Sequence, residues 1–168
     1  MPGVLRRAAV ALLRTAFFAT HGRHDVHGMR VLISDPHADK SMVLADLKAA
    51  ILVLENVNPK LFGAVLRYVG HIIVWPGDYT AYDSWGGVHL SAAYLRKAPA
   101  EIIASGLVHE YVHLRVERCG ISYEGEARAR IETLCVRHQA AFLRETKHEH
   151  SEAWALEAEI GLKDRWWE

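Results

Sequence analysis

The order of the apolar segments constrains this chain most: short runs stopped by Pro or Gly come first, and long runs of helical period follow. Met29-Arg30-Val31-Leu32-Ile33-Ser34 reads as a β-strand closed by Asp35-Pro36. His71-Ile72-Ile73-Val74-Trp75, stopped by Pro76-Gly77, reads as a buried strand, and residues Val88 to Tyr94, after Gly86-Gly87, give a third. Between the first two strands, Met42, Leu44, Ala45, Leu47, Ile51 and Leu54 recur at helical spacing over residues 38–54. A shorter helix follows over residues 59–68, with Pro59 in its first turn. Three helices are expected downstream: Pro99 to Arg118, Tyr123 to Glu145, and a last one from Ser151 as N-cap towards Trp166-Trp167. Strands before helices indicate an α+β fold, a small mixed or antiparallel sheet packed against helices.

The 168 residues fit one domain, set at residues 29–168, behind a leader of residues 1–28 that contains His21, His24 and His27. A chain of this length buries about 70% of its unfolded surface, so it needs no metal or disulfide to fold and any metal it binds is functional. Lys and Arg number 20, as do Asp and Glu, which removes the electrostatic argument for a nucleic-acid partner. Within the leader, Arg14 breaks the apolar stretch from Val4 to Thr20 into runs too short for a signal peptide or a membrane span. An amphipathic helix there packs on its own domain or rests weakly on a membrane surface. Cys119 and Cys135 match no disulfide framework and read as reduced core residues, which points to the cytoplasm.

The helix expected from Pro99 carries His109-Glu110-Tyr111-Val112-His113. Two histidines four apart lie on one helical face, so both imidazoles reach one Zn²⁺, and Glu110 beside them is placed to take a proton from water. With 11 His and 13 Glu in the chain, about 0.05 such patterns are expected by chance. The segment from Gly106 to Arg115 resembles the zincin metallopeptidases, with uncharged Leu107, Val108, Tyr111, Val112 and Leu114 around the ligands. Arg115 departs from the apolar residue many members carry.

That resemblance implies a zinc-dependent peptidase with one Zn²⁺ per chain, a peptide or protein substrate, and Glu110 as the catalytic base. It also implies an edge strand, here Val88 to Ala92, that pairs with extended substrate. A metzincin would place Gly at Val116 and His at Cys119, and neither is present. A gluzincin takes its third ligand from the next helix, and Glu132 lies nineteen residues after His113, on the flank of a stripe of Ala127, Ile131, Leu134, Cys135, His138 and Phe142. Glu124 and Glu126 are the alternatives, and a surface ion pair with Arg128 is the structural reading of Glu132. The Asp that often follows the gluzincin Glu by four residues is Val136 here, so the orienting partner of a ligand histidine must come from elsewhere. Tyr111, Tyr123, His89 and His138 are candidate oxyanion donors. A non-catalytic zinc-binding module for sensing or docking is the second functional reading.

Overall fold

The computed structural model describes residues 23–77, 80–83 and 85–162. A hairpin comes first: β1 (Arg23–Val26) pairs antiparallel with β2 (Met29–Ile33), Val26 facing Met29 across a two-residue turn. His27 and Gly28 both take positive φ, 51° and 81°, which the tight turn matching strand twist requires, and Asp25 Oδ1 accepts the Gly28 N–H at 3.0 Å. This hairpin crosses the boundary expected after residue 28. His24 sits in a strand and His27 in the turn, its Nδ1 3.2 Å from Glu55, so part of the expected leader belongs to the sheet. The helix expected over residues 4–20, His21 and the Trp166-Trp167 end lie outside the described residues.

Asp39 caps α1 (Lys40–Val57), accepting from the N–H groups of Ser41 and Met42, and Val43, Leu47, Ala50, Ile51 and Leu54 form its buried stripe. Asn58 then serves twice: its N–H closes α1 on Leu54, and its side chain opens α2 (Pro59–Tyr68) by accepting from Leu61. Three further strands, β3 (His71–Trp75), β4 (Ala81–Tyr82) and β5 (Gly87–Ser91), complete a mixed sheet of order β1-β2-β3-β5-β4. β3 runs parallel to both β2 and β5, and the two outer strands run antiparallel to their neighbours. The register puts Val31, Ile33, Ile72, Val74, Val88 and Leu90 on the face that joins the main core with the helices, and Leu32, Ile73 and Trp75 on the other.

Two sequence expectations change at this edge. β5 is internal rather than an edge strand, because Ala81 and Tyr82 pair with His89 and Val88 and cover it. It also stops at Ser91 instead of Tyr94, since Ser91 Oγ accepts the Tyr94 N–H at 3.2 Å and starts α3 (Ala92–Lys97). After Pro99 comes α4 (Ala100–Arg118), which is buried around most of its circumference between α1 and the sheet on one side and α5 (Gly125–Thr146) on the other. α5 begins two residues later than expected, and its buried stripe keeps Ile131, Cys135 and Phe142 while Leu134 is 41% exposed. Cys119 is exposed rather than in the core. Ser151 is the buried first residue of α6 (Ser151–Gly161) rather than its cap, which falls on His150. Arg144 ties α5 to α6 through Glu152 and Glu159. The fold is α+β, and among the described residues no helix is long and apolar enough to cross a membrane.

Candidate metal centre

α4 brings His109, Glu110 and His113 to its contact with α5, where Glu132, Cys135 and Gln139 follow one another at spacings of three and four. The Nε2 atoms of His109 and His113 are 3.1 Å apart. Glu132 Oε2 lies 3.5 Å from His109 Nε2, and Oε1 lies 3.4 Å from His113 Nε2. A tetrahedral centre with bonds of about 2.0–2.1 Å has ligand-to-ligand edges of roughly 3.3 Å, and these three contacts are of similar length, the two to Glu132 being made by different carboxylate oxygens. Glu132 is 1% exposed, and its Oε2 and His113 Nδ1 are buried without a hydrogen-bond partner. Buried polar atoms normally have one, and a carboxylate oxygen left over between two imidazoles fits a cation. Glu124 and Glu126 are both exposed, Glu126 lying 3.9 Å from Arg130, and neither comes to the cluster. Arg128 contacts Tyr123 instead of Glu132, so the surface ion pair considered for Glu132 does not form.

His109 is oriented by a chain of hydrogen bonds that the sequence did not disclose. Ser105 Oγ donates to Ile102 O at 2.8 Å, which commits its proton. It therefore accepts from Gln139 Nε2 at 3.2 Å, and the Gln139 carbonyl oxygen turns to His109 Nδ1 at 3.1 Å. Nδ1 then donates to Gln139, and Nε2 is turned towards Glu132. Gln139 takes the orienting role for which Val136 has no suitable group. It stands four residues after Cys135 on the helix, a polar side chain beside an apolar stripe, and that placement was its only signal in the sequence.

No hydrogen bond reaches His113 Nδ1, and aromatic rings hold the imidazole on that side. Tyr82, from the edge strand, stacks on it at 4.8 Å and 14°, and Tyr123 meets it edge-on at 5.2 Å. Tyr123 also donates its hydroxyl to Glu132 Oε1, and burial followed by the Glu132 carboxylate holds that hydroxyl well above the usual phenol range, so it stays a donor. Of the four candidate oxyanion donors, Tyr123 is the one that hydrogen-bonds Glu132. Tyr111 packs edge-on to Tyr68 at 5.5 Å. His89 projects from the other face of the sheet, level with Ile73 in the register, where it contacts Asp83 at 2.9 Å and Trp75. His138 is half-buried, and burial, then the nearby Arg115, lowers its pKa.

Burial and the neighbouring His109 push His113 down to about 4, which keeps it in the neutral, ligating form at neutral pH. Burial opposes charge on His109 too, but Glu132 and Glu110 outweigh it and its pKa lies above the ordinary value. Glu110 is 6% exposed, and burial, aided by Glu132 against the pull of His109, raises its carboxyl to about 7. One further donor is in reach: the ligating atoms of His109, His113 and the fully buried Cys135 all lie within 4.8 Å of one another. Beside His113 a cavity of about 210 Å³ opens between Tyr82, Tyr123, Glu117, Ile121 and Ile131. Ile121 and Ile131 also wall an apolar trough of about 480 Å³ with Ala127 and Leu134.

Compared with known proteins, the chain matches no family model, no curated protein and no solved structure.

Proposed function

We propose that this protein is a zincin-like, zinc-dependent hydrolase that cleaves amide bonds in peptides, with His109, His113 and Glu132 as the metal ligands. The observation that carries the reading is the convergence of the two Nε2 atoms and the Glu132 carboxylate at 3.1–3.5 Å, with a buried oxygen left unpaired. Zn²⁺ held there would supply a Lewis acid that acidifies water and polarises a carbonyl. Glu110, with a carboxyl near 7, suits a base that takes a proton from the attacking water and returns it to the departing amine as the C–N bond breaks. The cavity beside His113 gives the scissile peptide access, and its apolar continuation suits a non-polar side chain. Two unpaired cysteines accord with a reducing compartment such as the cytoplasm.

A specific observation also favours the second reading, a zinc module without turnover: Cys135 offers a fourth protein donor, and four protein ligands close a zinc site. The two readings part in one experiment. Elemental analysis of tag-free protein should find about one zinc per chain in the wild type and in Glu110→Gln, and none in His109→Ala or Glu132→Ala. A peptide library should be cleaved by the wild type and left intact by Glu110→Gln. Zinc without cleavage leaves the non-catalytic module; no zinc even after addition, or zinc retained by His109→Ala, removes both.

A further inference from the structure

We propose that Cys135 is a fourth protein ligand of the same centre, so that the resting site is a closed His109–His113–Glu132–Cys135 set that opens when the thiolate lets go. This rests on the metal-centre reading above and adds its regulation. Cys135 stands one helical turn after Glu132 on α5, so both side chains point to the same place on α4. Its Sγ lies within 4.8 Å of the ligating atoms of both histidines. Sulfur and imidazole nitrogen on one tetrahedral zinc are roughly 3.5 Å apart, so a shift of about an ångström closes the gap.

Two observations independent of the cysteine mark this point as a ligand position: the buried Glu132 Oε2 without a hydrogen-bond partner, and the Nε2 atoms of His109 and His113 converging beside it at 3.1 Å. Between α4 and α5 the thiol is fully buried. A water-activating zinc centre keeps three protein ligands and one open position. Two donors from α5 therefore compete for the last place. Tyr123 already holds one Glu132 oxygen, which steadies the carboxylate and leaves the thiolate as the donor free to depart. Thiolate also selects the metal, favouring Zn²⁺ and Co²⁺ over Mg²⁺, Ca²⁺ and Mn²⁺.

The test loads Co²⁺ into purified wild type, Cys135→Ser, Cys135→Ala and His109→Ala. Wild type should show the intense near-ultraviolet charge-transfer band of a cobalt–thiolate bond, and both Cys135 variants should bind Co²⁺ without that band. Their zinc affinity, read by competition with a chromogenic chelator, should fall by about tenfold or more, and any peptide cleavage should rise as the site opens. Co²⁺ bound by the wild type without the thiolate band overturns the proposal while leaving the metal centre in place. Failure of the wild type to bind Co²⁺ or Zn²⁺ at all overturns the centre itself. Cys135→Ser keeps the size of the side chain, so loss of the band alongside an unchanged circular dichroism spectrum separates ligation from folding.

Discussion

Gln139 shows how a single side chain settles the chemistry of another. The proton of Ser105 goes to Ile102 O, so Ser105 accepts from the Gln139 amide, the Gln139 carbonyl accepts from His109 Nδ1, and His109 Nε2 is turned towards Glu132. Reversing the amide would set an N–H against Nδ1 and put the imidazole proton on the nitrogen that faces Glu132. Replacing Gln139 by Leu removes the acceptor with little change of volume. Zinc affinity should fall about 10–100-fold, measured against a competing chelator, while Gln139→Glu, which still accepts, should stay within a few-fold of wild type. Equal affinity in the Leu variant would show that packing alone orients His109. His113 is the internal contrast, since its Nδ1 has no partner and its ring is fixed by Tyr82 and Tyr123.

Among the elements, what was legible in the sequence is what depends on spacing within one segment. The HExxH pair falls on one face because α4 is a helix, and Glu132 was placed by counting along the next one. The junction of α1 and α2 was readable because Asn58-Pro59 both stops and starts a helix. β1 was not, since Arg23-His24-Asp25-Val26 has no apolar alternation, and two-residue β4 leaves no period at all. The run from Val88 to Tyr94 suits a strand or a helix equally, and only the Ser91 cap divides it. Tyr82, Gln139 and the reach of Cys135 depend on how α5 and the edge strand sit against α4, which no single segment records. The link from α4 to α5 also walls the cavity, through Ile121, which is 50% exposed and so tolerates change. Ile121→Lys should raise KM roughly tenfold for peptides with an apolar side chain at that position, with zinc content and kcat unchanged. An unchanged KM would place the substrate elsewhere.

For the molecule as a whole, the site is a load on the core. α4 lies in the interior, yet it carries Glu110 at 6% exposure with a carboxyl raised from the usual 4.5 to about 7. Between those two values the folded chain keeps a proton that the unfolded chain releases, so stability falls as pH rises through this window and the full cost, about 3 kcal/mol, is present above it. Glu110→Gln removes the ionisation and keeps the shape. Urea unfolding of metal-free protein at pH 5 and pH 8 should show the variant gaining on wild type by up to about 3 kcal/mol at the higher pH, while the proposed cleavage should be lost. A difference that does not vary with pH would mean that Glu110 is not desolvated in the fold. Saturating Zn²⁺ should shrink the gain, because a dication near the carboxylate favours its charged form and relieves the burial that raised it. Wild type should therefore draw more stability from zinc than Glu110→Gln does, and the excess should be largest at pH 8, where the base is ionised.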